Sequence, residues 1–222
     1  MRHSTIKLLL LSLVLVLIVF AQNQPTTPTV TFKCDFPGSD PAHYGISASS
    51  DGQASYISDG KLTPDADSGE AFTVDFKMPQ GMLAQIFDLT KKAHYFEGDV
   101  DYKKKNIAST GEKTLAYKDG QRSTSATYNY SAVPAVQELT ALFQNLSSTL
   151  EYGRRIEYDH RYQKLALDEE LKRMDDASSR GGLADVTVIA PVLKKIVDDQ
   201  SVVNTARARA QRLLAHSGAA GK

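Results

Sequence analysis

EKTLAYK at 112–118, then Asp119-Gly120, then QRSTSATYNY at 121–130 is the stretch that organises the rest of the chain. An Asp-Gly pair between two alternating β-prone runs predicts a two-residue type I′ hairpin, because that turn needs positive φ at both central residues. Such a turn pairs Lys118 with Gln121, Tyr117 with Arg122 and Leu115 with Thr124. Leu115, Tyr117, Ala126 and Tyr128 then share one face, which Tyr130 extends. Thr114, Ala116, Ser123, Ser125 and Thr127 share the other. One face is apolar and the other small and polar, which predicts a sheet covered on one side and wet on the other.

Working outward, residues 44–50, Asp51-Gly52 and residues 53–58 predict a second hairpin of the same design. A two-residue turn there sets Ile46 opposite Ile57 with Ala48 beside them, and puts Tyr56 on the other face. Residues 29–36 are a candidate first strand, stopped by Pro37-Gly38. Residues 71–78 alternate Phe72, Val74 and Phe76 against Thr73, Asp75 and Lys77, which is a strand pattern. Pro79 then opens a helix, where its missing N–H costs nothing. Met82, Leu83, Ile86, Phe87 and Leu89 give that helix an apolar side, and Lys91-Lys92 suit its C-terminal dipole. Tyr95-Phe96 reads as a core anchor after it.

Past Tyr130 the period changes. Val133, Val136, Leu139, Leu142, Phe143, Leu146 and Leu150 fall on one helical stripe. Gly153 breaks or weakens that helix. The helical pattern continues over 154–174, with Glu157/Arg161, Asp168/Lys172 and Glu169/Arg173 at the favoured i, i+4 spacing. Ser178-Ser179-Arg180-Gly181-Gly182 is a break. Two more helices are predicted at 183–199 and 202–216, with Pro191 kinking the first or starting its second half.

The N-terminal 21 residues read as a leader rather than as fold. Arg2, His3 and Lys7 precede an apolar run at 8–20, and Val19 and Ala21 fit a cleavage site before Gln22. An uncut single-pass anchor is the rival reading, but the run is short for a span of about 20 residues. The Pro/Thr-rich stretch at 24–31 reads as an extended linker. Lys plus Arg equal Asp plus Glu at 26 each, so no global field points to nucleic acid or anionic lipid. Cys34 is the single cysteine, so there is no internal disulfide and stability rests on packing. It reads as a small buried hydrophobe in a strand.

No stretch carries a catalytic signature. There is no G-x-S-x-G, and His43, His94, His160 and His216 form no metal-binding pair. Asp99-Val100-Asp101 begins like a calcium loop, but Lys103, Lys104 and Lys105 follow where oxygen ligands and a Gly are needed. Asp59, Asp65, Asp67 and Glu70 read as a solvated loop. Asp168-Glu169-Glu170 and Asp175-Asp176 read as a wet, ion-paired helix face, since nothing nearby in sequence would desolvate one of them. Residues 201–222 carry no acid, and Arg207, Arg209 and Arg212 would suit either an acidic partner or an ordinary wet face. Most of the ten tyrosines read as core-edge rings, with a tyrosine-lined groove between sheet and helix as the binding alternative. We therefore assign no catalytic, cofactor-binding or metal residues and no cofactor.

The order of YGISASSDGQASYIS (44–58), IFDLTKKAHYF (86–96), GDVDY (98–102), a threonine/glycine strand pair and VPAVQELTALFQNL (133–146) resembles a bacterial exported domain of unknown function. The whole chain is similar to exported hypothetical proteins of soil acidobacteria. The cysteine-rich segment usual early in that domain is missing here, where only Cys34 stands. VLKKIVDDQSVVNTARARAQRLL (192–214) resembles the second half of a HEAT-type repeat, although one helix pair makes no solenoid. The resemblance implies export and no particular activity.

These readings predict an α+β protein: an antiparallel sheet of two Asp-Gly hairpins plus further strands packed on helices, followed by an all-helical C-terminal extension. The expected organisation is a signal peptide at 1–21, a linker at 22–31, an α+β domain at 32–152, a helical extension at 153–216 and a frayed tail at 217–222. The expected function is that of an exported, non-catalytic interaction module, periplasmic or extracellular. Its partner would be another envelope protein, with no nucleic acid and a membrane only if the leader stays uncut. The competing expectations are a hydrolase with a site assembled across sheet and loops, and a membrane-anchored envelope structural protein.

Overall fold

Six strands pair into one antiparallel sheet: β1 (Thr29–Asp35), β2 (His43–Ser49), β3 (Gln53–Ser58), β4 (Phe72–Lys77), β5 (Glu112–Lys118) and β6 (Ser123–Tyr128). The structure, a computed structural model, describes residues 27–219 except 64, 104 and 105, with side chains described as far as 215. The leader predicted at 1–21 lies outside the described residues. The strand order is β4-β3-β2-β1-β5-β6. The chain meanders from β1 out to β4, then returns to lay β5 on the free edge of β1. Strand β1 starts at Thr29, so residues 29–31 of the predicted linker belong to the sheet.

Helix α1 (Gln80–Lys92) and helix α2 (Pro134–Tyr162) cover one face of the sheet. Val30, Phe32, Ile46, Tyr56, Leu115 and Tyr128 point into that layer from the strands and are buried. Phe143 of α2 stacks on Phe32 of β1, with ring centroids 5.2 Å apart. Leu83 and Ile86 of α1 complete the layer. The period-2 and period-3.6 stripes of the sequence meet here, as expected of an α+β core.

Neither Asp-Gly pair makes the two-residue turn expected of it, and the two departures differ in consequence. Between β5 and β6, Lys118 pairs with Ser123, Tyr117 with Thr124 and Leu115 with Ala126. The Asp119 N–H donates to Arg122 O at 2.9 Å. The Asp119 carboxylate accepts the amides of Gln121 and Arg122 at 2.7 and 2.6 Å. The aspartate thus organises a four-residue loop, and Gly120 needs no positive φ. The register moves by two, so the strand residues keep their predicted faces. Tyr130, past the end of β6, is exposed instead of extending the apolar face.

Between β2 and β3 the register moves by one. Ile46 pairs with Tyr56, and Gly45 with Ile57. Gly52 sits at φ +88°, and its N–H donates to Ser49 O at 2.9 Å. This is a type I turn closed by a left-handed glycine, which adds one residue to the loop. A one-residue shift exchanges faces. Tyr56 therefore goes into the core at 0 % exposure and Ile57 goes out at 52 %. Inside, the Tyr56 hydroxyl reaches Ser147 Oγ and Glu151 Oε1, each at 2.9 Å.

Past α1, His94, Tyr95 and Phe96 all take left-handed backbone, with φ of 50, 55 and 64°. Such geometry costs roughly 1–2 kcal/mol per residue. Three contacts offset it. The Phe96 ring is buried, the Tyr95 ring packs on Tyr117 at 4.8 Å, and Thr124 Oγ1 donates to Tyr95 O at 2.6 Å.

Helix α2 runs unbroken through Gly153 for 29 residues. The glycine is there for close approach: a Cβ on it would lie 2.5 Å from Ile189 Cγ2. The helical pattern predicted over 154–174 is instead interrupted after Tyr162, and α3 (Leu167–Ser179) turns back. A 3-10 turn (Val186–Ile189) leads into α4 (Ala190–Asp198), with Pro191 in its first turn, and α5 (Asn204–Ala219) follows. Helix α5 therefore extends past 216, into the segment expected to fray. One continuous cluster of buried side chains runs from the sheet to Leu193, Ala206 and Leu213 in these last helices. Among the described residues no helix is long and apolar enough to cross a membrane.

Candidate functional site

With two helices on one face, the other face of the sheet is left open by the described residues. Alternation places short hydroxyl side chains over much of it, among them Thr31, Ser47, Ser55, Thr114 and Ser125. Gly45 interrupts this surface between Lys33 of β1 and Ile57 of β3. Its missing side chain leaves a hollow of about 450 Å³, bordered by Lys33, Asp35, His43, Ile57, Asp59 and Glu112 among others.

The ends of three strands bring the polar groups of this hollow together. His43 opens β2 opposite Asp35, the last residue of β1, and Asp35 faces Glu112 on its other side. The His43 Nδ1 lies 3.2 Å from Asp35 Oδ1. Its Nε2 lies 3.9 Å from Asp59 Oδ2. The His43 backbone N–H donates to Asp59 Oδ1 at 2.9 Å. A carboxylate on Nδ1 orients an imidazole for proton transfer at Nε2. Here, however, the second nitrogen also faces a carboxylate, and the ring is 55 % exposed. Among the described residues, no group of three or more His, Cys, Asp or Glu is arranged to hold a metal ion.

The nucleophiles nearest in sequence point away. Ser58 Oγ donates to the buried Glu151 Oε1 at 2.5 Å, on the helix side. Cys34 is buried on that same side, and burial pushes its thiol up, away from thiolate character. His94, Asp99 and Asp101 do not join the hollow. Asp99 pairs with Lys103 at 3.1 Å, and Asp101 accepts the Asn129 N–H at 3.1 Å. His160 binds Asp199 at 2.8 Å in a junction of the C-terminal helices.

A groove between the end of β6 and α2 also exists, about 360 Å³, with Tyr128, Tyr130, Gln137 and Thr140 in its walls. Its polar groups serve one another. Tyr128 Oη and Thr140 Oγ1 are 2.6 Å apart, and Gln137 Nε2 donates to Tyr130 Oη at 2.7 Å. At its floor the Lys113 ammonium, 3 % exposed, donates to Thr110 O, Gly111 O and Asn129 O at 2.8–2.9 Å. Desolvation lowers its pKa. This lysine cross-ties two loops.

Two expectations for the helical part are corrected. Glu170 is not on a wet face. It is buried, and its carboxylate takes Arg155 Nε at 2.6 Å and Arg173 Nη1 at 3.0 Å. The arginines of α5 are engaged within the chain: Arg209 binds Asp168 at 3.1 Å and Arg212 binds Asp175 at 3.5 Å. Asp168 thereby serves α5 in place of the predicted Lys172.

Asp159 lies buried in α2 beside Glu170, Arg155 and Arg173. Burial first, and then the charge of Glu170, raise its carboxyl to about 6 against the pull of the two arginines. A raised carboxyl pKa means the ionised form is disfavoured in the fold, so the cost is fully present above pH 6 and fades as pH falls towards 4. Asp159→Asn should therefore stabilise the protein at pH 8 by about 1–2 kcal/mol after allowance for screening, and by almost nothing at pH 4. Urea midpoints of both proteins at the two pH values check this; an equal gain at both would be inconsistent with it.

No protein-family model matches this sequence, and a comparison with curated proteins finds no match.

Proposed function

We propose that the protein is an exported, non-catalytic binding module that takes its partner on the open face of the sheet, at the hollow over Gly45. The observation carrying this reading is the exposure of Ile57 at 52 % beside a side-chain-free glycine, ringed by charged groups of both signs. An apolar contact with a few polar groups around it is the usual composition of a binding site. The leader predicted from the sequence at 1–21 and the resemblance to exported bacterial domains support export, with another envelope protein as the partner. The arginine-bearing C-terminus no longer argues for docking, because Arg209 and Arg212 are paired within the chain.

Ile57→Arg tests this. The change is on the solvent side of β3 and should leave the melting temperature nearly unaltered. Wild-type protein should retain an envelope component that the variant loses by at least tenfold. Equal retention by both proteins, or no specific retention by the wild type, would remove the reading. N-terminal sequencing of exported material should start at Gln22.

A second reading rests on the 3.2 Å Asp35–His43 contact: a hydrolase in which His43 activates water. It predicts an activity abolished by His43→Ala, whereas the binding reading predicts a retained partner and no turnover.

A further inference from the structure

We infer a second ligand site, for a tetrahedral oxyanion such as sulfate or a phosphate group, in the cavity where the segment after β3 meets α2 and α3. It is independent of the hollow at Gly45. The cavity measures about 260 Å³ and is walled by Asp40, Lys61, Tyr152, Arg155, Glu170 and Arg173.

The two guanidinium groups are held in place from behind. Buried Glu170 takes Arg155 through its Nε at 2.6 Å and Arg173 through one η nitrogen at 3.0 Å. The Arg155 guanidinium also lies over the Tyr152 ring at 4.7 Å. This grip leaves both η nitrogens of Arg155 and the second η nitrogen of Arg173 without a hydrogen-bond partner among the described residues. Tyr152 Oη donates to Arg173 O at 3.3 Å and so ties the two helices at the cavity wall.

The third cation comes from the other side. The Lys61 N–H donates to Asp40 Oδ1 at 2.9 Å, which fixes the backbone there. Its ammonium has no partner among the described residues. Three cations thus line the cavity with Asp40 and with Glu170, which is consumed in positioning two of them, while Glu169 stands 3.7 Å from Arg173 Nε. Planar η donors and an ammonium are the groups that suit a tetrahedral oxyanion: the fork binds two oxygens and the ammonium a third. Asp159 faces the same arginines, and its ionisation opposes an incoming anion. A titration at pH 5.5 is therefore favourable, and sulfate keeps its charge there.

The test is a titration of the full chain with sodium sulfate at pH 5.5, compared with sodium chloride at matched ionic strength. Sulfate should raise the melting temperature saturably, in the millimolar range, where chloride does not. Lys61→Gln should weaken sulfate at least fivefold and leave the sulfate-free melting temperature unchanged, since Lys61 holds nothing in the fold through its side chain. Arg155→Lys keeps the charge and loses the fork, and should weaken sulfate as well. Phenyl phosphate then separates the sources of the group: tighter binding than sulfate marks a phosphate ester, and equal binding marks a free ion. A response to sulfate no greater than to chloride, or full affinity in Lys61→Gln, would overturn the inference.

Discussion

Glu151→Ala should destabilise the protein by about 3–5 kcal/mol, the usual cost of leaving one buried charge without its partner. Glu151 is 2 % exposed in the middle of α2. Its Oε1 accepts from Tyr56 Oη at 2.9 Å and Ser58 Oγ at 2.5 Å, both on β3. Its Oε2 has no hydrogen bond and stands 3.7 Å from Arg154 Nη1. Arg154 in turn donates to Gly60 O at 3.1 Å and Glu70 O at 3.0 Å, and lies over the Phe72 ring at 4.8 Å. The pair therefore joins the long helix to β3 and closes the neck of the 60–70 segment, where Glu70 N–H also donates to Gly60 O at 3.1 Å. Without the carboxylate, a guanidinium, a phenol and a hydroxyl stay buried with too few partners. Adding Arg154→Met to Glu151→Ala should recover part of the loss, since the uncompensated cation goes with it. Urea unfolding of the two singles and the double measures this. A double variant whose loss equals the sum of the singles would show that the two groups do not act as a pair.

Gly153→Val should cost about 2–3 kcal/mol by overpacking, even though valine is the better helix former by a few tenths. The first added carbon already falls 2.5 Å from Ile189 Cγ2 and 3.1 Å from its Cβ. Ile189 is buried and starts the path into α4, so the helix pair cannot simply slide away. Ile189→Ala alone should cost about 2–4 kcal/mol as a cavity. Combined, the two changes should be at least 1 kcal/mol better than additive, because valine refills the space that Ile189 vacates. Additivity in thermal or urea unfolding would mean that Gly153 is kept for another reason.

Both residues were legible only as letters with an ordinary meaning. A glycine inside a helical stripe reads as a break, and a glutamate in a helix reads as a wet residue. What made them special lies 36 residues away for Gly153 and 93–95 for Glu151. The same holds for the open-face hollow. His43 and Asp35 are eight residues apart around a loop, and Asp59 enters from the far end of β3. Each carries no motif, and only strand pairing places them together. The tyrosine groove was legible in kind, from rings placed at the sheet–helix boundary. Lys113 at its floor was not, because alternation sets it on the face of Leu115 and Tyr117 but nothing local shows the three carbonyls that let a lysine be buried there.

By itself the sequence determined the elements and most of their faces. Alternation in 112–118 and 123–128, and the apolar stripes in 80–92 and 134–150, are local patterns whose period depends only on backbone geometry. They fix which side of each element seeks the core, and the α+β layering follows. Tertiary structure decided the rest. It chose the one-residue shift that buries Tyr56 and exposes Ile57, because a turn sequence allows neighbouring registers and burial across the whole sheet selects among them. It also chose which charges are desolvated and paired, as with Glu170 between Arg155 and Arg173, because the strength of a charge contact depends on distance and burial, and neither exists until the helices have packed.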